Sequence, residues 1–316
     1  MKICVIGAGK IANEVVAALR KEAPEIGITA VYAHSSMANA EKLAQEYDIA
    51  KVYTDYEKLL KEDTADFLYI GIVNTAHYDY ARQALLAGRN VIVEKPFTST
   101  YEEAAELAAL ARSRNLWLFE AVTTLHLPNY MLTKELLDKI APIRIVQCNY
   151  SQYSSRYDRY LKGDVAPAFD PKLGGGALND LNIYNINVVV GLLGLPKTMH
   201  YYANRGFNGI DTSGVLVMKY DGSVAVCTAA KDSASPSSVI VQGEKGTIVI
   251  PSAPNEVKKV TLTVCGSVQE WQNNKYDSRL VHEFKDFERI WQSGDYDSMN
   301  RYLETSLAVM QVLDSL

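Results

Sequence analysis

Apolar residues in the first third of the chain follow two spacings that alternate. Lys2-Ile3-Cys4-Val5-Ile6 is a short, mostly β-branched run and reads as a buried strand. Ile11, Val15 and Leu19 then recur at i, i+4 and i+8, the stripe of an amphipathic helix. Ile28–Ala33 predicts a second strand, Ala38–Tyr47 a helix, and the residues around Val52 a short third strand. Phe67–Ile72 reads as another buried strand, and Tyr80, Ala81, Ala84 and Leu85 have helical spacing. Asn90–Glu94 and Leu116–Phe119 are the remaining strands. Between them, Thr100 and Glu103 form a capping box that opens an Ala-rich helix to Arg114. Regular β-α alternation with short connections predicts an α/β fold, with a doubly wound parallel sheet over residues 1–121.

From about residue 122 the pattern changes. Ile143–Gln152 alternates in part, and strand-like stretches follow at Met199–Asn204, Gly214–Tyr220, Ser223–Ala229, Ser238–Gln242, Thr247–Ile250 and Lys258–Val264. Turn signals such as Tyr220-Asp221-Gly222 separate them. A second α/β domain over 122–316 is expected, built on a large, mostly antiparallel open sheet. One helix, Gly175–Leu193, interrupts the strands. Two more close the chain, the last with Leu303, Leu307, Met310 and Leu313 on one face. Three helices cannot cover both faces of such a sheet. Val215, Val217, Val224 and Val239 are expected on an open apolar face, which needs a partner, so a homodimer or homotetramer is expected.

Composition narrows the function. The chain has 316 residues, 48% hydrophobic and 22% charged, as in a soluble globular protein. A net charge of −5 gives no footprint for nucleic acid. No apolar run reaches the roughly 18–20 residues that span a bilayer. The N-terminus enters a strand at once, with no export signal, so a cytoplasmic protein without membrane partners is expected. The four cysteines, Cys4, Cys148, Cys227 and Cys265, are scattered, which favours reduced thiols over a disulfide framework or a metal site.

The candidate chemistry begins where the first strand ends, at Gly7-Ala8-Gly9-Lys10-Ile11-Ala12. A lone G-x-G-x-x-A match can be an ordinary strand-to-helix turn. Flanked by a strand and a helix, it predicts a dinucleotide site. Gly7 allows the sharp turn, Gly9 lets a pyrophosphate approach the backbone, and Ala12 lets the helix pack closely. The N–H groups of the helix start, at Lys10 and Ile11, meet the phosphates. The second strand ends in Ala33-His34-Ser35-Ser36 without Asp or Glu. No carboxylate there would repel a 2′-phosphate, and His34 and Ser35 can donate to one, so NADP is favoured over NAD. Asn74, Glu94, Lys95 and Glu120 fall at the carboxyl ends of strands, where ligands of such sheets bind.

Gly7-x-Gly9-x-x-Ala12, Asn74-x-x-His77, Gly88-x-Asn90-Val91-x-x-Glu94-Lys95-Pro96, Glu120-Ala121, Gly174-Gly175-Gly176 with Asp180-x-x-x-Tyr184, and Gly243-x-x-Gly246-x-Ile248 occur in that order over nearly the whole chain. In these motifs the chain resembles the Gfo/Idh/MocA oxidoreductases, the glucose–fructose oxidoreductase and inositol dehydrogenase family. Tyr184 stands where many members have His, a feature of the dihydrodiol and xylose dehydrogenase branch, and Asn182 stands where Gly is commoner. The resemblance implies hydride transfer between NAD(P) and a sugar, polyol, diol or related carbonyl compound. It also implies a cis Lys95–Pro96 peptide and an oligomer interface on the open sheet.

The residues themselves suggest the same roles. Lys95 can polarise a substrate oxygen or exchange a proton with it. Asp180 and Tyr184, four apart on a predicted helix, share a face. Lys95, Tyr184 and Asp180 are therefore the expected catalytic residues, with Asp180 as the orienting one. His34, Ser35, Asn74, His77, Glu94 and Lys95 are the further expected cofactor contacts. His77 reads equally as a cap or packing residue. Tyr153, Arg156 and Tyr157 lie in a Tyr- and Ser-rich stretch that either covers a substrate or is an ordinary loop. A non-catalytic dinucleotide-binding regulator on the same fold is the alternative; the presence of Lys95, Asp180 and Tyr184 favours an enzyme.

Overall fold

The computed structural model describes residues 1–34 and 37–316, so Ser35 lies outside the described residues. The chain divides into two units, residues 1–121 with 278–307, and residues 122–277 with 308–316.

In the first unit strands and helices alternate as β1 (Lys2–Ile6), α1 (Lys10–Glu22), β2 (Gly27–Tyr32), α2 (Met37–Glu46), β3 (Val52–Tyr53), α3 (Tyr56–Glu62), β4 (Phe67–Ile70), α4 (His77–Leu86), β5 (Asn90–Glu94), α5 (Tyr101–Ser113) and β6 (Leu118–Ala121). The sheet order is β3-β2-β1-β4-β5-β6 and every pairing is parallel. β4 and β6 are buried along their whole length, as expected for parallel strands covered on both faces. The strand order reverses between β1 and β4, and the carboxyl ends of this pair form the crevice where ligands of doubly wound sheets bind. The capping box at Thr100 and Glu103 is present.

The second unit contains α6 (Thr123–His126), α7 (Pro128–Ile140), β7 (Ile143–Ser151), α8 (Tyr157–Leu161), a π-helical turn (Leu178–Asn182), α9 (Ile183–Leu193), and strands β8 (Thr198–Arg205), β9 (Asp211–Lys219), β10 (Val224–Ala230), β11 (Ser238–Gly243), β12 (Gly246–Ile250), β13 (Val260–Val264) and β14 (Ser267–Trp271). The sheet has eight strands in the order β14-β13-β12-β11-β7-β10-β9-β8. Only β7 with β10 is parallel. Alternation fixes its two faces. Val146, Cys148, Leu216, Met218, Ala225, Cys227, Val239 and Val241 are buried, and α7 and α9 pack against this sheet. Val215, Val217, Val224 and Val226 alternate with them and point the other way. Val239, expected on the open face, is on the covered one, because its register places it opposite buried Cys148.

The chain ends in α10 (Arg279–Ser293) and α11 (Tyr296–Asp314). The expectation of an unbroken second domain over 122–316 did not include the return of residues 278–307 to the first unit. The cause is aromatic. Phe284, Phe287 and Trp291 lie on one face of α10 and meet Tyr69, Phe119 and Phe67 of the parallel sheet at ring separations of 5.3, 4.6 and 5.7 Å.

Candidate active site

The first unit carries the candidate cofactor cradle. Gly7 sits at φ +116°, and its N–H donates to the Tyr32 carbonyl at 2.8 Å. A Cβ here would fall on the carbonyl oxygen of Gly71, at the end of β4. The crevice between β1 and β4 is therefore this tight only because residue 7 has no side chain. Gly9 is the N-cap of α1, makes no side-chain cap, and has open space where a Cβ would stand. Uncapped N–H groups beside open space fit a pyrophosphate. Ala12 is buried, Ile11 half-buried, and Lys10 exposed in an ion pair with Glu14 at 3.6 Å.

His34, beyond β2, is exposed and lines a cleft of about 540 Å³ with Tyr32, Tyr56 and Tyr80. The three rings pack at 4.7–5.8 Å, and the Tyr56 hydroxyl donates to the Tyr80 carbonyl at 2.9 Å. Asp55, Glu57 and Asp79 also line the cleft. The absence of acid near residue 34 in the sequence is thus offset by acid brought in from α3 and α4.

Two of the expected cofactor contacts, His77 and Glu94, are buried and hydrogen-bonded within the first unit. His77 is fully buried; its Nδ1–H donates to the Pro96 carbonyl at 2.8 Å, and Nε2 lies 3.4 Å from the Ile72 carbonyl. Burial holds its pKa down to about 4, so it is a neutral brace between two strand-end loops. Glu94 is also buried, and its Oε1 accepts the Tyr69 hydroxyl at 2.7 Å. Asn74 opens a short 3₁₀ turn past β4 and stays half-buried. Lys95 is half-buried at the end of β5, and its peptide bond to Pro96 is cis.

Beneath Lys95 lies a group of buried carboxylates that sequence reading did not assemble. Glu94, Glu120 and Glu283 are all buried. Glu120 lies near Ser306 and the Phe97 N–H, yet neither of its oxygens makes a well-formed hydrogen bond, and neither does either oxygen of Glu283. Burial raises all three pKa values, Glu120 to about 7, while the Lys95 ammonium pulls Glu94 and Glu120 back down. The folded state therefore holds a proton that the unfolded chain releases. The resulting stability is complete below the ordinary carboxylate pKa and is lost as pH rises through about 7. The Tm of wild type is expected to fall between pH 5 and pH 8 more steeply than that of Glu120→Gln; equal slopes would contradict this.

In the second unit, a glycine lets a carboxylate reach a helix start. Gly176 is at φ +111°, and a Cβ there would strike the Asp211 carboxylate. Asp211 accepts the Leu178 N–H and the Tyr201 hydroxyl, each at 2.6 Å. The following turn is π-helical, not α-helical, so Asp180 and Tyr184 do not have the regular i, i+4 relation their spacing suggested. Asn182, where the resemblance led to Gly, is buried and donates to the Cys227 carbonyl at 3.2 Å. Asn185 donates to Asn182 at 2.8 Å and to the Thr228 carbonyl at 2.9 Å. These amides bind the wide turn to β10. Tyr184 is buried at the start of α9, its ring 6.0 Å from Tyr150.

The residue missed in this unit is Lys231. Its ammonium lies 2.9 Å from Asp180 Oδ2 and 2.6 Å from the Ala168 carbonyl oxygen. A lysine ending the apolar run Val224–Ala230 was the available signal, the same one that singled out Lys95. The Tyr-rich stretch joins this group: Tyr157 and Tyr160 pack on Phe169, and Lys231 sits 4.5 Å above that ring.

Residues 1–122 match the model of an oxidoreductase family with an NAD-binding Rossmann fold, and residues 130–249 match the Gfo/Idh/MocA C-terminal domain. A scyllo-inositol 2-dehydrogenase (NADP(+)) of Bacillus subtilis is 31% identical over 287 residues, 91% of this chain and 87% of its own. A trans-1,2-dihydrobenzene-1,2-diol dehydrogenase of Danio rerio is 28% identical over 253 residues, 78% of this chain and 73% of its own. KijD10, a 3-ketoreductase from Actinomadura kijaniata solved with NADP and TDP-benzene, shares the fold with a TM-score of 0.85 at 22% identity, over 100% of this chain and 96% of that one. The two family models span most of the sequence, and with the Bacillus relative they show that this chain belongs to the Gfo/Idh/MocA family of NAD(P)-dependent oxidoreductases.

Proposed function

We propose that the protein oxidises a secondary hydroxyl of a cyclic polyol or diol, or reduces the matching ketone, with NADP favoured over NAD. Lys95 at the carboxyl end of β5, in the unit that holds the Gly7–Ala12 cradle, carries this reading. The nicotinamide supplies or accepts the hydride. The chain must hold the reacting carbon and move one proton. Lys95 is assigned the proton at the substrate oxygen, Tyr184 assists, and Asp180 accepts a hydrogen bond from a neighbouring substrate hydroxyl. A carboxylate that accepts from a second hydroxyl favours diols and polyols over simple alcohols. The named activities of the Bacillus and Danio relatives agree in substrate class. The test is a panel containing scyllo-inositol, myo-inositol, D-xylose, trans-cyclohexane-1,2-diol and cyclohexanol, followed by absorbance of the reduced cofactor. Turnover confined to cyclohexanol, or none at all, would refute the proposal.

Cofactor choice rests on His34 and the absence of Asp or Glu over residues 33–37, against which stand the carboxylates of Asp55, Glu57 and Asp79 in the same cleft. NADPH is expected to bind at least as tightly as NADH, and His34→Asp to favour NADH. Wild-type protein that binds NADH more than about tenfold better, roughly 1.4 kcal/mol, would reverse this assignment.

We further propose a homodimer or homotetramer built through the open face of the eight-stranded sheet. Val217, Val226, Gln147 and Ile240 lie in register across its centre, and Tyr202 at its edge is 68% exposed. Wild type should scatter light as an oligomer at micromolar concentration, and Val226→Glu should shift it toward monomer. A monomeric wild type would contradict the proposal. Among the described residues no helix is long and apolar enough to cross a membrane, and the four cysteines are thiols. A cytoplasmic location is the reading these features support.

A further inference from the structure

We infer that Lys231 is a positioning residue that holds the Asp180 carboxylate in one orientation, at the turn leading into the helix that carries Tyr184. The inference rests on the polyol reading above, in which Asp180 receives a substrate hydroxyl. The pair is asymmetric in exposure: the Lys231 side chain is 3% exposed and that of Asp180 is 38%. The ammonium is the dry anchor and the carboxylate the wet end.

Three contacts fix the anchor. Lys231 donates to Asp180 Oδ2 at 2.9 Å and to the Ala168 carbonyl at 2.6 Å, and it stands 4.5 Å above the Phe169 ring. Its own backbone is fixed as well: the Lys231 N–H donates to the Thr212 carbonyl at 2.8 Å, and its carbonyl accepts the Ser154 N–H at 2.8 Å. An ammonium this buried is stable only beside an opposite charge. Asp180 supplies that charge in hydrogen-bond contact, from a π-helical turn, and the Asp211 carboxylate also feels the ammonium. Lys231 thus ties one oxygen of Asp180 to the Ala168–Phe169 loop and sets the direction in which the carboxylate meets solvent and ligand. Because it acts on a hydroxyl-binding group, its loss should weaken substrate binding more than chemistry.

The test compares wild type, Lys231→Met, Asp180→Asn and the double variant, using scyllo-inositol or trans-cyclohexane-1,2-diol, whichever wild type turns over faster. Lys231→Met is expected to raise KM about tenfold while kcat changes by less than about threefold, the pattern of lost ground-state binding. The double variant should have a KM no higher than either single variant, because one unit is removed once. In thermal melts Asp180→Asn should lose more Tm than Lys231→Met, since it takes the hydrogen-bonded carboxylate from a buried ammonium, and the double variant should recover part of that loss. If Lys231→Met does not fold, Lys231→Gln, which keeps a donor for the Ala168 carbonyl, takes its place in each arm. A fall in kcat with unchanged KM, or KM effects that multiply in the double variant, would overturn the inference. Wild type inactive on the whole panel would refute the polyol reading instead. The melting cycle would then decide the pairing alone, and additive losses would overturn it.

Discussion

Replacing Lys95 with Met is expected to lower turnover on the best substrate by about 10²-fold or more, the usual scale for lost general acid–base help. That is roughly 2.7 kcal/mol of transition-state stabilisation. Met keeps the length and apolar stem of Lys and removes only the ammonium. Cofactor affinity should change little, because the phosphates are assigned to the Gly7–Ala12 cradle and not to the end of β5. Tyr184→Phe should have a smaller but clear effect on kcat. Loss of the Lys95 charge should also reach the carboxylates beneath it, because that ammonium lowers the pKa of both Glu94 and Glu120. The measurements are kcat, and cofactor Kd by fluorescence titration. Near-wild-type turnover in Lys95→Met would show that the proton passes elsewhere.

The second large effect is expected at Gly7. Alanine there meets two penalties together. The backbone sits at φ +116°, which L residues rarely adopt, a strain of roughly 1–3 kcal/mol. The new Cβ would also collide with the Gly71 carbonyl oxygen, and this backbone, just past β4 and tied to β1 by the Gly71 N–H to the Ile6 carbonyl, cannot simply swing aside. Their sum is a large part of the roughly 5–15 kcal/mol by which domains are stable. Gly7→Ala should therefore lower Tm sharply and lose cofactor binding with it. Gly9→Ala is the contrast. Its Cβ would meet nothing within 4 Å in the protein, so stability should change by less than about 1 kcal/mol, while affinity for the dinucleotide falls because the methyl stands where the phosphates approach. If both variants melt like wild type, the crevice is looser than its geometry states.

The sequence alone determined what depends on local spacing. The alternation of strand and helix in the first unit, the glycine turn after Ile6, the capping box at Thr100 and the strand ends that carry Asn74 and Lys95 are all encoded within a few residues of where they act. Periodicity also indicated the antiparallel sheet of the second unit, although it missed β14, a short and exposed strand with little apolar signal.

Only the tertiary structure decided which distant side chains meet. Lys231 and Asp180 are 51 residues apart in sequence, and nothing near either one names the other. His77 and Glu94 look alike in the sequence as polar residues beside a cofactor cleft; burial turned one into a neutral brace and the other into an acceptor for Tyr69. Asp55, Glu57 and Asp79 reach the cleft of His34 through the pairing of β2 with β3 and the packing of α4. Phe284, Phe287 and Trp291 brought α10 back to the first sheet, and Glu283 with it. The physical reason is the same in each case. Local spacing records which face of an element is apolar, but the partner that covers this face, and the charges that burial then forces together, are set by long-range packing.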